Sequence, residues 1–483
     1  LWYLFFSEMW ERFSFYGMRG MLAVFMVSQL MMDEKTANLQ YGATQAFVYA
    51  FTFIGGLFAD KILGYRKSLF WGGLLMIVGS IILAIDPKQF FFFGISFTII
   101  GTGFFKPNIS TMVGKLYRDD DNRRDAGFSF FYMGVNLGAL LGGYICIAVA
   151  NGTLWESFIP QAFRWNYAFG FAAVVMMISL LTFTQTQKTL GVIGLSPLAH
   201  LEKSKRRKLE IATYLGSLII IPVIMTMVAK TEYTDYFMFT IGPLALLYLF
   251  YEMRNFTLVE NKKLMAALVF IIFSIFFWAF FEQSGGSLSL FAANNLDNTV
   301  LGIKLDPNGV NNSSNSFFVI AFAALIGLVW LWMSKRNIEP NTVVKFGLAF
   351  LFLAGGFYVF YYTKFFSNAE GITSLDLFTI GWLVITFGEL CLSPIGMSAM
   401  TKLSPEKTQA VIMGMWFLAS AYGQYFAGIL GANIAEASEN ASNFDKLIVY
   451  ANGYKDLALY ALIFGIVLIA ISPFVKKLMQ DVK

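Results

Sequence analysis

Glu8-Met9-Trp10-Glu11-Arg12-Phe13-Ser14-Phe15-Tyr16-Gly17-Met18-Arg19 decides the fold, because it sets four charges inside an otherwise apolar run from Leu1 to about Leu30. A run of that length and hydrophobicity reads as a membrane span rather than a surface helix. On a helix, Glu8, Glu11, Arg12, Phe15, Tyr16 and Arg19 recur at steps of three and four, so they share one stripe roughly 16 Å long. Each charge at mid-bilayer costs about 2.5–3.5 kcal/mol. Two Glu and two Arg on one face supply much of the compensation to each other, provided the stripe faces protein or a watery cavity. The plainer alternative is a charged cap at the membrane surface, or an ion-pair staple between helices. Ionisable groups inside a membrane are functional by default, so the stripe is read as the functional centre.

Outward from it, the composition is that of a polytopic membrane protein. The 483 residues are 57% hydrophobic and 13% charged, about half the charge of an average soluble domain. Fifty-three Phe, ten Trp and 22 Tyr suit lipid-facing surfaces and interfacial belts. The net charge of +5 does not point to nucleic acid, since the positive residues fall mostly on one side of the membrane. Cys146 and Cys391 both sit in hydrophobic segments, which indicates neither a disulfide framework nor a metal site. No cleavable signal is expected, and a short native N-terminus is expected to be missing ahead of the first helix.

Hydrophobic runs of about twenty residues read as spanning helices. They fall near 1–30, 41–59, 68–85, 90–114, 126–150, 165–186, 210–229, 235–252, 264–290, 317–334, 343–362, 374–400, 409–434 and 453–475, fourteen in all. Alternate loops and the C-terminal tail hold 24 Lys and Arg, among them Lys61, Arg66, Lys67 and the cluster Lys203, Lys205, Arg206, Arg207, Lys208; the opposite side holds 8. That bias puts the first set of loops, and both termini, in the cytoplasm. The longest link, Gln187 to Lys208, separates six helices from the next pair, and six more follow Asn261. The expected architecture is therefore all-α: an N-terminal six-helix bundle over 1–187, a cytoplasmic linker and inserted helical hairpin over 188–261, and a C-terminal six-helix bundle over 262–483. Transporters of this type nest inverted repeats within each half and bind substrate near the bilayer midplane; here the repeat reading rests on helix count.

Three motifs carry a resemblance. Gly56-Leu-Phe-Ala-Asp60-Lys61-Ile-Leu-Gly64-Tyr-Arg66-Lys67 is similar to the loop signature of the major facilitator superfamily, although basic residues belong in such a loop in any case. Together with Glu8-x-x-Glu11-Arg12 and Phe128-Ser-Phe-Phe-Tyr-Met-Gly-Val-Asn136-Leu-Gly138-Ala it resembles the proton-dependent oligopeptide transporter family. Gly101-Thr-Gly-Phe-Phe-Lys106-Pro-Asn and Phe277-Trp278-Ala-Phe-Phe-Glu282-Gln add matches. The resemblance covers almost the whole chain and implies the major facilitator fold, two six-helix bundles plus an inserted two-helix hairpin. It also implies a bacterial inner-membrane symporter of di- and tripeptides driven by protons through alternating access.

Carried over by position, the resemblance implies that Arg19 and Lys106 meet the peptide carboxylate, with Tyr16, Tyr49 and Asn136 as polar and aromatic neighbours. Trp278, Glu389 and Ser393 resemble the C-terminal bundle's contribution, Glu389 near the peptide amine. Glu8, Glu11 and Arg12 match the proton-coupling motif, and Glu282 an additional acidic site implicated in coupling. Phe15 departs from the pattern, since many members have a second Tyr there, and the helix-two histidine of animal members is absent.

The residue chemistry points the same way without the family. Any short peptide offers one carboxylate, one ammonium and a backbone; Arg suits bidentate carboxylate recognition and Lys supplies a point charge. Glu389 and Ser393 are i and i+4 on one helix, followed by Pro394 and Gly396, which can bend it into a gate. The alternatives stay open residue by residue. Lys106 and Glu389 also suit structural ion pairs, Trp278 suits a lipid-facing anchor, and Tyr49 and Asn136 suit interhelical hydrogen bonding. His200, the only histidine, lies in the basic linker and reads as a solvated loop residue. Proton carriage thus falls to carboxylates, which hold a proton more readily when desolvated. Glu8, Glu11, Glu282 and Glu389 outnumber Arg12, Arg19 and Lys106 by one, so at least one proton is expected with each zwitterionic peptide.

Other readings predict different sequences or substrates. A carrier of nitrate or another anion on the same scaffold would not need Glu389, and a drug–proton antiporter fits Arg19 and Lys106 poorly. A membrane enzyme would want a metal, nucleophile or cofactor motif; the sequence has no His/Cys ligand cluster and no nucleotide loop. An ion-conducting or scaffold protein would not require paired charges in both bundles. The expected partners are di- and tripeptides, protons and the lipid bilayer, with no nucleic acid and no cofactor, the chain acting as a monomer.

Overall fold

The computed structural model describes residues 1–118, 123–405, 409–435 and 441–480, with the side chains of 124, 125, 199, 393–398, 401 and 409–411 outside the described set. The orientation residues Lys407 and Lys483 also lie outside it. Along the chain run α1 (Trp2–Ser28), α2 (Glu34–Phe58), α3 (Tyr65–Ile85), α4 (Phe91–Gly114), α5 (Arg124–Asn151) and α6 (Arg164–Thr186). After the linker come α7 (Lys203–Ile219), α8 (Ile221–Ala229) and α9 (Thr231–Glu252). Then follow α10 (Leu258–Phe281), α11 (Ser287–Asn295), α12 (Pro307–Lys335), α13 (Thr342–Tyr362), α14 (Leu375–Leu403), α15 (Gln409–Ile434) and α16 (Asn443–Met479). The pairs α7–α8 and α10–α11 are each one span interrupted once, which gives fourteen helices. Eleven described helices are long and apolar enough to cross a membrane. The charged stripe keeps α1 out of that group.

The chain divides into two compact units, one of residues 1–31 and 43–233, the other of 32–42 and 234–483. In the first unit α1 packs on α5 and α6, and α3 on α4 and α6; in the second, α13 packs on α14 and α16, α10 on α15, and α12 on α14. Without a hydrophobic drive inside lipid, helices associate through close packing, which small residues permit. Gly72 on α3 and Gly101 on α4 show the need: a Cβ on Gly72 would stand 2.5 Å from Gly101 O, and one on Gly101 2.7 Å from Gly72 O.

The inserted pair is split between the units, α7 and α8 counting with the first and α9 with the second. Polar anchors fasten each. Lys67 Nζ bonds Glu210 at 2.6 Å and Trp71 Nε1 donates to Ser217 Oγ at 2.9 Å, tying α7 to α3. On α9, Asp235 accepts from the Tyr425 hydroxyl at 2.6 Å. The first residues of α2 count with the second unit, where Glu34 pairs with Lys446 at 2.8 Å and takes the Tyr450 hydroxyl bond.

Several expected spans differ in extent. The run at 264–290 is not one helix: α10 stops at Phe281 and a short 3₁₀ turn over Glu282–Gly285 precedes α11. The helix expected at 317–334 begins at Pro307, because in the polar stretch Asn311-Asn312-Ser313-Ser314-Asn315 residues 311, 313 and 314 are buried, 312 and 315 are partly buried, and the asparagines are hydrogen-bonded internally rather than looped out. The basic turn at Lys203 is already helical. The last span starts at Asn443, where Ser442 and Asp445 form a capping box, and such a box sets a helix start that hydropathy does not register.

In the signature loop, Asp60 and Lys61 lie in a single π-helical turn, Ala59–Leu63, ended by Gly64 at φ +75°. Tyr65 donates to Asp60 at 2.8 Å, and Arg66 Nε donates to Ile193 O at 2.7 Å, joining this turn to the segment after α6.

Candidate functional site

In the first unit the charged stripe of α1 is buried almost completely. Glu8, Glu11, Arg12 and Arg19 are exposed by 4%, 0%, 1% and 6%, a burial that requires internal partners. Arg12 Nη2 donates to Glu11 Oε1 at 2.6 Å and its Nε to Glu11 Oε2, while Nε also stands 3.2 Å from Glu8 Oε1. One guanidinium fork thus serves two carboxylates. Its remaining face lies over Phe15, 5.1 Å from the ring centroid. The second oxygen of Glu8 is buried and, among the described residues, accepts no hydrogen bond. A buried acceptor without a donor is costly, and a carboxylate differs from an amide or carbonyl oxygen in that it can take a proton, which removes its charge and turns one oxygen into a donor.

The aromatic motif of α5 explains how the stripe is enclosed. Gly138 lies against α1, where a Cβ would come within 2.9 Å of Arg12 Cβ, so only a glycine lets the helices meet at the ion pair. Asn136, two residues before Gly138, donates to Tyr132 O of its own helix at 3.0 Å. Lys106 Nζ sits 4.3 Å from the Tyr49 ring centroid, a cation–π contact, and close enough to Glu8 for their charges to interact. Arg19 lies over Tyr16 at 5.6 Å. The fold therefore gathers Glu8, Glu11, Arg12 and Lys106, and pairs Lys106 with Tyr49 and Arg19 with Tyr16. The Pro107 that follows Lys106 is accommodated within α4.

In the second unit Glu282 occupies the turn between α10 and α11 and is 5% exposed; Glu389 on α14 is 9% exposed. Their charges are near enough to interact. Glu389 Oε2 accepts from Asn315 Nδ2 at 2.6 Å, and the same amide reaches Thr386 Oγ1 at 3.2 Å. Trp278 is half-buried, with ring centroids of Phe277 at 5.4 Å and Phe281 at 5.3 Å. The Ser393 side chain lies outside the described residues. His200 is exposed, its Nδ1 3.2 Å from Pro197 O.

Sequence reasoning missed Asn315 and the residues around it. The signal was present: Asn308, Asn311, Asn312 and Asn315 recur at steps of three and four, the spacing of one helical face. A hydropathy window scores such a run as loop, which hides it.

The comparisons with known proteins bear on the family and the fold. The model of the POT family matches residues 66–447. The chain is 33% identical over 493 residues to "Uncharacterized transporter YclF" of Bacillus subtilis, covering 99% of this chain and 94% of that one. It is 31% identical over 460 residues to "Peptide transporter YePEPT" of Yersinia enterocolitica, covering 89% and 87%. A mutant of "peptide transporter POT" crystallised with alafosfalin superposes with a TM-score of 0.83 at 31% identity, covering 99% of this chain and 95% of that one. A family match over most of the chain, relatives of the same length and a shared major facilitator fold make one conclusion: the chain belongs to the POT family, and is a multi-pass membrane transporter rather than an enzyme.

Proposed function

We propose that this transporter imports di- and tripeptides together with protons by alternating access across a bacterial inner membrane, with both termini cytoplasmic and the monomer as the working unit. The observation that carries the reading is the buried Glu8–Glu11–Arg12 cluster with its unsatisfied Glu8 oxygen. A site that holds two carboxylates on one guanidinium gains by taking up a proton whenever a second anion competes for the cation. A peptide carboxylate is such an anion. In this reading Arg19 and Lys106 receive it, with Tyr16, Tyr49 and Asn136 beside them. Glu389 receives the peptide ammonium, with Trp278 and Ser393 as neighbours, and Glu8, Glu11, Arg12 and Glu282 carry the coupling. The membrane carboxylates exceed the membrane cations by one, so one proton per peptide leaves the loaded core neutral and spares it the cost of an unpaired charge at low dielectric. The relative named as a peptide transporter and the structure with alafosfalin support the substrate class.

The test is uptake into liposomes under an inward proton gradient, comparing dialanine with its N-acetyl and C-amide derivatives. Accumulation of dialanine and weak uptake of both derivatives is the expected result. Uptake that ignores the amine but needs the anion would replace this reading with an anion carrier, and uptake indifferent to the gradient would remove the coupling.

A further inference from the structure

The asparagine-rich face of α12 has no role in binding or proton carriage as assigned above, yet Asn308, Asn311, Asn312 and Asn315 are joined to the Glu282 turn and to α14 by side-chain hydrogen bonds. A side-chain amide inside a membrane helix is unfavourable unless its donors and acceptor are matched. Asn311, 1% exposed, is matched on both sides. Its Nδ2 donates to Ser284 O at 2.7 Å, and its Oδ1 accepts from Trp382 Nε1 at 3.1 Å. Turning the amide over would lose both bonds, so its orientation is set. Ser284 lies two residues beyond Glu282, in the turn where α10 has stopped and carbonyls lack helical partners. Ser289 Oγ donates to the same carbonyl at 2.7 Å, and Asn312 Nδ2 to Ser289 Oγ at 3.1 Å. Asp306, the other carboxylate of this region, is used as the N-cap of α12.

The chain of contacts continues from the turn to Glu389. Trp382, Thr386 and Glu389 share one face of α14 at steps of four and three. Thr386 Oγ1 donates to Trp382 O at 2.8 Å and receives Asn315 Nδ2, which also donates to Glu389 Oε2. A connected set of hydrogen bonds therefore runs from the turn bearing Glu282, through Asn311 and Trp382, to the face bearing Glu389.

We propose that Asn311, held by Trp382, is a positioning residue that keeps the Glu282 turn in register with Glu389, so that filling one site changes proton occupancy at the other. Two carboxylates that interact share protonation as a pair only while their separation is maintained. Loosen the ladder and each behaves alone. The inference rests on the roles proposed for Glu282 and Glu389.

Four proteins in liposomes decide it: wild type, Asn311→Leu, which removes both bonds while keeping the branching at Cγ, Trp382→Phe, which removes the indole donor, and Glu282→Gln. Two activities are read, peptide exchange without a gradient and accumulation with one. With a gradient of about one pH unit, wild type accumulates about tenfold per proton. Asn311→Leu and Trp382→Phe are expected to exchange within about twofold of wild type while accumulation falls toward unity. A merely structural role would lower exchange and accumulation together, and would overturn the proposal, as would two variants indistinguishable from wild type. Should Asn311→Leu fail to fold, Trp382→Phe alone decides. Glu282→Gln separates the two ideas: normal accumulation in it removes the proposed role of Glu282 and this inference with it. Lost accumulation in Glu282→Gln, with normal accumulation in the ladder variants, removes only the inference.

Discussion

Arg12 shows how a single side chain converts a costly stretch of sequence into a working one. Its fork satisfies Glu11 with two bonds and still reaches Glu8 at 3.2 Å, so removing Arg12 leaves two buried carboxylates unmatched, whereas neutralising one carboxylate leaves a matched pair. Replacing either carboxylate by its amide keeps shape and removes the proton site. Glu8→Gln and Glu11→Gln are therefore expected to retain peptide exchange without a gradient. They should lose gradient-driven accumulation, from about tenfold at one pH unit to about unity. Wild-type accumulation in both and in the double variant would exclude the pair from coupling. Lys106, over the Tyr49 ring, is the residue on which carboxylate recognition is tested. Amidating the peptide C-terminus should weaken binding to wild type by about tenfold, and to Lys106→Ala by only about threefold, since the share carried by Lys106 cannot be lost again while Arg19 remains. Equal penalties in competition binding would assign the carboxylate elsewhere. The identity of these residues was legible as charges within an apolar run; which charge takes which partner was not, because i,i+1 and i,i+4 neighbours on a stripe compete for the same fork.

Helix ends and breaks are where periodicity spoke least. Asp33 begins α2: its Oδ1 accepts from Thr36 N at 2.8 Å and its carbonyl from Ala37 N at 3.0 Å, the arrangement of an N-cap. The Thr36 hydrogen bonds hold the Asp33 carboxyl below its ordinary range. Its contribution is therefore fully present above the unfolded value of about 3.9 and is lost as pH falls through the folded one. Asp33→Ala should cost about 1 kcal/mol at neutral pH, and thermal unfolding curves of the two proteins should converge in strong acid. A constant difference down to the lowest pH would show that the carboxylate charge is not what caps the helix. The break at Glu282–Gly285 falls in the polar, glycine-containing interval Glu282-Gln283-Ser284-Gly285-Gly286-Ser287, which a span-length hydropathy window averages with the apolar residues on either side. What stops α10 there is tertiary: Gln283 donates to Ala279 O and to Ala427 O of α15, both at 3.0 Å, and Asn311 takes the Ser284 carbonyl.

At the scale of the whole molecule, the distribution of Lys and Arg makes a prediction about orientation. Single cysteines at Ser204, in the basic first turn of α7, and at Leu301, exposed in the hairpin between the strands Thr299–Val300 and Ile303–Lys304, should react from opposite faces of oriented cells. Labelling of both by an impermeant reagent from outside would overturn the cytoplasmic assignment of the linker. The number of spans and the membrane class were determined by the sequence alone, since a bilayer imposes a hydrophobic length that each crossing must meet. So was the position of the charged stripe, because helical spacing needs no partner to be computed. The tertiary structure decided what no local rule contains. It divided the inserted pair, sending α7 and α8 to one unit and α9 to the other, and it turned an apparent polar loop into the bonded face of α12. A buried polar group is stable only through partners from distant segments, and those partners exist only once the helices have packed.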